Sequence, residues 1–190
     1  MKVSLTLLAA AATLATAGLA QAAEYQIDPN HTNVTWEQVH FGTSTNRGRW
    51  AKKSGTVQFD RAAKTGKVEL TLDMDSVDTG VAPFNKHLKG DDFFAADKFP
   101  TATFVSDEFV FDGDKVSEVK GKLTLRGQTH PVTLKATRFN CFEHPSLKRE
   151  ICGGDFEATI KRSLWGVNWG LTMGVPDDTK LTIQAEAIKQ

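Results

Sequence analysis

The chain carries no excess of either charge: 23 lysines and arginines balance 23 aspartates and glutamates. With no basic run, there is no electrostatic footprint for nucleic acid or for an anionic membrane surface. Catalytic signatures are missing as well. There is no GxSxG elbow, no phosphate-cradling loop and no GxGxxG motif at a strand–helix junction. The five histidines, His31, His40, His87, His130 and His144, are scattered, without HxH, HExxH or a Cys/His cluster at metal-ligand spacing. His31 and His40 are nine positions apart, which on one regular strand puts them on opposite faces. Each histidine reads as structural, and neither a metal nor a cofactor is expected. Asp73 and Asp75 share a strand face, while Asp91 and Asp92 fall at a cap position. Neither pair declares itself an acid–base couple. The expectation is that the protein is not an enzyme.

Long apolar runs are confined to the N-terminus. Lys2, an apolar stretch from Leu5 through Leu19 and the small-x-small Ala20-Gln21-Ala22 read as a secretory leader over residues 1–22, with one domain at 23–190. No later stretch approaches the roughly 18 apolar residues of a membrane helix, and no lipobox-like cysteine follows the leader. Cleavage would remove one lysine and no acid, leaving 22 basic and 23 acidic groups in 168 residues, enough for one domain with a core. Cysteine is scarce. Cys141 and Cys152 lack the CxxC spacing of a redox centre, and in an exported chain such a pair reads as a structural disulfide.

What the chain has in quantity is alternation with period two. Val68, Leu70, Leu72 and Met74 fall on one face against Lys67, Glu69, Thr71 and Asp73, and the same pattern recurs along the chain. Eight strands are expected, over 33–41, 55–60, 67–73, 101–111, 116–125, 132–139, 155–161 and 179–188. Hairpin signals lie at Asp60 to Gly66, Asp112-Gly113-Asp114 and Arg126-Gly127-Gln128. Eight sequential antiparallel strands most simply close into an up-and-down barrel, with a two-sheet sandwich as the alternative. Charged outer faces and the lack of recurring aromatic girdles argue against an outer-membrane barrel.

Two stretches do not alternate. In Asn85 to Ser106, Pro83 begins a short helix, Gly90 ends it and Asp91 is placed to cap a second turn, giving a helical insertion around 83–97. It has His87, Leu88, Phe93, Phe94 and Phe99 to bury, as a plug or lid on something hollow would. Arg162 to Asp178 carries Trp165, Trp169, Leu171, Met173 and Val175 between glycines, and either closes one barrel end or lines an entrance. Gly121, Ala136, Ala158, Ala185 and Ala187 on the inner face leave volume unfilled, unless large and small residues interdigitate in a tapered core.

The segment NKHLKGDDFFAADKFPTATF resembles the central block of the YceI-like family of periplasmic lipid-binding proteins. Asp28-Pro29-Asn30-His31 with Val34 and Trp36 is similar to the family's opening, and GKLTLRGQTHPVTL (121–134) and FEATIKRSLWG (156–166) resemble two further elements. Trp165 and the cysteine loop depart from the commoner family pattern. The resemblance implies a lipocalin-like barrel in the periplasm, holding a polyisoprenoid lipid or isoprenoid quinone without covalent chemistry. The lining expected on that basis is Val34 and Trp36 on the first strand, Leu70 and Leu72 on the third, and Phe109 and Phe111 on the fourth. Leu123 and Leu125, Leu134, Ala158 and Ile160, then Ile183 and Ala185 continue it through the last four. Asn85, His87 and Trp165 are expected at the mouth. The alternatives are a filled barrel serving protein interaction or stress response, and an enzyme on an isoprenoid lipid using His87 with Asp91 or Asp92. Oligomeric state and ligand head group stay open.

Overall fold

The structure, a computed structural model, describes residues 22–190, so the expected leader lies outside the described residues apart from Ala22. Eleven strands form one antiparallel sheet. They are β1 (Ala23–Ile27), β2 (Asn33–His40), β3 (Ser44–Trp50), β4 (Lys53–Asp60), β5 (Thr65–Asp73), β6 (Val77–Asp78), β7 (Thr101–Asp112), β8 (Lys115–Leu125), β9 (Gln128–Glu143), β10 (Glu150–Lys161) and β11 (Asp178–Lys189). Eight close a ring in the order β1-β4-β5-β7-β8-β9-β10-β11, with β1 pairing back onto β11. The barrel is the expected one, and closure is what spares a chain of this strand content its exposed edges.

The strand inventory differs from the expectation at β1, β3 and β6, none of which was foreseen. β1, and not β2, completes the ring. β1 pairs the end of β11 from Tyr25↔Lys189 to Ile27↔Ala187, and β2 takes over from Gln184↔Asn33 to Lys180↔Glu37. Between them the chain jogs. The Asn30 N–H donates to Asp28 Oδ1 at 2.8 Å, His31 Nδ1 meets Asp28 Oδ2 at 2.7 Å, and buried Thr32 exchanges two 3.2 Å hydrogen bonds with the Glu186 main chain. His31 therefore precedes β2, and the expected opposition of His31 and His40 on one strand does not arise.

Past the jog, β2 leaves the ring and pairs with β3, which in turn pairs with β6. One end of the barrel is flared as a result. The helix α1 (Ala82–Lys89) packs over this end, with Phe84 edge-on to Trp36 at 6.4 Å and, beyond the helix, Phe94 against Trp50 at 5.6 Å. Pro83 sits in the first turn, and Lys86, His87 and Lys89 in the last turn complement the helix dipole. Gly90 ends the helix, its N–H returning to the His87 carbonyl at 3.0 Å. Asp91 does not cap the next turn. The N–H groups of Phe93 and Ala95 close on the Gly90 carbonyl, and the Asp91 carboxylate takes the Lys98 ammonium at 2.9 and 3.0 Å.

The opposite end is sealed. Phe59 stacks on Phe111 at 6.0 Å and meets Phe109, Phe139 and Tyr25 at tilted or edge-on angles. Cys141 and Cys152 face each other across β9 and β10 and are joined as a disulfide, as expected.

Candidate functional site

The flared end opens on a cavity of about 380 Å³. β2 contributes Trp36, Gln38 and His40 to its wall, β3 contributes Asn46 and Trp50, and the insertion contributes Phe84, His87, Leu88, Phe93 and Phe94. Leu125, Ile160 and Leu181 come from the ring, and Val167, Trp169 and Val175 from the loop after β10. Deeper in the barrel lies a second cavity of about 100 Å³, between Leu70, Phe104, Phe109, Leu134, Phe156, Ile183 and Ala185. The described barrel interior is therefore hollow in two places, not a filled tapered core.

The loop over the cavity is organised by Arg162, which is buried. Its guanidinium donates to the carbonyls of Pro176 (3.1 Å), Val167 (2.9 Å) and Trp169 (2.8 Å), with a longer contact to Val175 (3.5 Å). Burial pushes its pKa down from the ordinary value, and the charge of nearby Asp177 opposes that. Burial would raise the Asp177 carboxyl. It is nonetheless held below the usual carboxylate range by the Ser163 hydroxyl and N–H, at 2.7 and 2.8 Å, helped by Lys161 and Arg162. The insertion is stitched down in the same way. Asn85 accepts from the Thr79 N–H (2.8 Å) and hydroxyl (2.6 Å) and donates to Asp78 (3.1 Å), while Arg126 donates to the carbonyls of Asp91 and Phe93. At the rim, His87 stands edge-on to Phe93 (4.9 Å) and Trp169 (5.5 Å), and its Nε2 lies 3.4 Å from Asp92. The indole N–H groups of Trp36 and Trp50 are buried on this wall without an acceptor among the described residues.

Of the residues expected to line the interior, Trp36, Leu125 and Ile160 border the main cavity, and Leu70, Phe109, Leu134, Ile183 and Ala185 border the inner one. Val34, Leu72, Leu123 and Ala158 border neither. Val34 and Leu72 belong to the buried core, with Leu123 and Ala158 packed against it. Phe111 belongs to the sealed end. Of the three residues expected at the mouth, His87 is there. Asn85 instead pins the helix to β6, and Trp165 is buried, its N–H donating to the Leu123 carbonyl at 3.0 Å. Met173, from the tryptophan-rich loop, is exposed and borders no cavity described here. Asp91 is tied to Lys98.

Sequence reasoning missed the polar rim formed by Gln38, His40, Asn46 and Thr179. A signal for it was present. Val34, Trp36, Gln38 and His40 continue one inward-facing series along β2, and the switch from apolar to polar along that series marks where the interior meets water. Trp50 and Leu181 were reachable in principle from the same alternation, but Trp50 lies on a strand whose other residues are mostly polar.

The sulfurs of Cys141 and Cys152 and a Glu150 carboxylate oxygen lie within 4.8 Å of one another, but both sulfurs are consumed by the disulfide. No helix among the described residues is long and apolar enough to cross a membrane.

Comparison with known proteins agrees with the fold. A UPF0312 protein of Pseudomonas aeruginosa is 35% identical over 193 residues and Protein YceI of Shigella flexneri is 36% identical over 197, each alignment spanning 100% of both chains. Among solved structures, Burkholderia cenocepacia BcnA superposes with a TM-score of 0.70 at 28% identity, covering 84% of this chain and 98% of that one. A polyisoprenoid-binding domain from Saccharophagus degradans shares the fold at a TM-score of 0.62 and 12% identity, covering 89% and 99% of the two chains. The model of the YceI-like domain matches residues 25–187. The chain belongs to the YceI-like family.

Proposed function

We propose that this protein is an exported, periplasmic carrier or sensor that holds one long apolar lipid, a polyisoprenoid or isoprenoid quinone, inside the barrel without covalent chemistry. The observation that carries this reading is the cavity of about 380 Å³, walled by tryptophan, phenylalanine and aliphatic side chains and opening through a polar rim. Such a site takes a molecule with a long apolar body and a polar end. At about 0.8 kcal/mol per buried CH₂, a few isoprene units supply on the order of 10 kcal/mol gross, enough for micromolar binding after ordering costs. The polyisoprenoid-binding domain from Saccharophagus degradans, which has the same fold, lends support.

The reading needs no catalytic step. The contact of His87 with Asp92 is long, with His87 partly and Asp92 largely exposed, so the pair suits contact with a head group better than proton transfer. Mass spectrometry of a solvent extract from protein purified without detergent tests the proposal. A stoichiometric isoprenoid is expected. An empty extract that stays empty after incubation with quinone and polyprenol mixtures would overturn the reading in favour of an interaction module.

A further inference from the structure

The main-chain pairing of β9 with β10 stops part-way. It runs from Glu150↔Glu143 to Glu157↔Lys135, with a register irregularity between Asp155 and Phe156, and goes no further. Both strands continue. β9 extends back to Gln128, held there by β8, and β10 extends on to Lys161, held by β11. Over this stretch the closed barrel contains two facing strand edges with no main-chain ladder between them. Pro131 lies here, and proline belongs at strand edges because it has no ladder donor to give. A groove of about 580 Å³ follows the gap, lined by Val132, Thr133 and Lys135 on one side and by Glu157 to Lys161 on the other.

The wall at this seam is thin. Ala158 pairs with Leu181, a residue of the main cavity wall, and packs against the core, yet it also borders the outer groove. Ile160 is the one residue of the groove lining that also borders the main cavity. The end of the groove is closed by the turn Arg162–Trp165, with Trp165 buried edge-on to His130 at 5.1 Å and Leu164 half-exposed. Gly166 follows with φ +72°, a left-handed conformation that favours glycine.

We infer that the seam between β9 and β10 is a lateral entrance through which the lipid tail passes into the main cavity. This rests on the lipid-binding reading above. Sideways passage spares a long chain from being threaded end-on beneath Phe93 and Trp169. It also breaks no ladder hydrogen bonds, because none exist along this stretch. Ile160 and the Leu164–Trp165 turn have to move, the turn giving up the Trp165 hydrogen bond to the Leu123 carbonyl.

The test closes the seam covalently. Thr133 and Thr159 are exposed on opposite sides of the groove, and both native cysteines are tied up in the disulfide, so Thr133→Cys/Thr159→Cys presents the only two reactive thiols among the described residues. One sample is bridged with a bismaleimide and another capped with N-ethylmaleimide. Ubiquinone in phosphatidylethanolamine vesicles is the probe, and its arrival is read as quenching of Trp36, Trp50 and Trp169 around the cavity. Bridged protein is expected to load about tenfold more slowly than capped protein, as for a gate that limits the rate, with the same final quenching. Leu164→Ala, which unplugs the outer lip, is expected to load faster to the same end point. Equal rates for bridged and capped protein would overturn the entrance alone. Absence of quenching in the unmodified protein would overturn the lipid-binding reading, and the entrance with it.

Discussion

The Arg162 guanidinium donates to the carbonyl of Trp169 at 2.8 Å, and through it a buried cation holds an aromatic wall of the cavity in place. The same side chain also serves Val167 and Pro176, so three loop carbonyls lose their donor together if it is removed. Arg162→Met keeps most of the stem and removes every donor. It is expected to lower stability by at least about 2 kcal/mol in urea unfolding, since several buried acceptors are left unpaired. Lipid binding should fall with it, because Val167, Trp169 and Val175 all come from that loop. An unchanged midpoint with unchanged binding would mean the loop holds without the cation.

The pair His31–Asp28 makes the jog between β1 and β2 sensitive to pH. His31 is held above its ordinary value by its hydrogen bond to Asp28 and by that carboxylate's charge. Burial would raise Asp28, but the hydrogen bonds from His31 and the Asn30 N–H, with the His31 charge, hold it below its ordinary value. A raised histidine stabilises fully below its unfolded value of about 6.5 and loses that contribution as pH rises through the folded value. A depressed aspartate stabilises above its unfolded value near 4 and loses that contribution as pH falls. Raising the pH from about 6 to about 8.5 is therefore expected to lower the wild-type urea midpoint more than that of His31→Gln. Parallel curves for the two proteins would show the pair to be neutral.

The disulfide sits on the β9–β10 hairpin, away from the main cavity. Cys141→Ser/Cys152→Ser opens a loop with a sequence separation of 11. That should destabilise the fold by about 3 kcal/mol on the loop-entropy estimate. Neither cysteine borders the main cavity, so lipid affinity under native conditions should stay within about twofold, measured by tryptophan quenching. A large loss of affinity at unchanged fold would tie the far end of the barrel to the binding site.

The barrel was legible from alternation and hairpin turns, and the disulfide from the cysteine pair, but the aromatic closure of one end was not, because Phe109 and Phe111 alternate like any lining residue. Nor was the flared end, and the reasons are local. β3 reads STNRGRW, and its inward position opposite Trp36 is Gly48, where an added Cβ would come within 2.5 Å of the indole. A strand whose core-facing residue must be glycine shows no period-two signature, so Trp50 and Asn46 went unassigned. β1 is five residues long and β6 only two, too short for alternation to stand out. At the mouth, composition drew attention to Trp165 and Asn85, which are structural. Trp165 is consumed by its bond to Leu123, and Asn85 by Thr79 and Asp78. Aromatic or amide identity alone does not say whether a side chain faces a ligand or braces the loop behind it.

Ala158 is the position where a single residue separates the hollow-barrel reading from a packed one. It borders neither cavity but packs against the core and pairs with Leu181 of the main cavity wall, which in turn pairs with Trp36 on β2. Ala158→Trp places a ring where the wall now has a methyl. Overpacking should lower stability by about 1–3 kcal/mol, which a closed barrel with an intact disulfide can absorb while staying folded. The circular dichroism spectrum should match that of the wild type, while uptake of isoprenoid quinone at equilibrium is expected to disappear. If the folded variant still takes up the full complement of lipid, the ligand does not lie against the stretch of wall formed by Leu181 and Ile160.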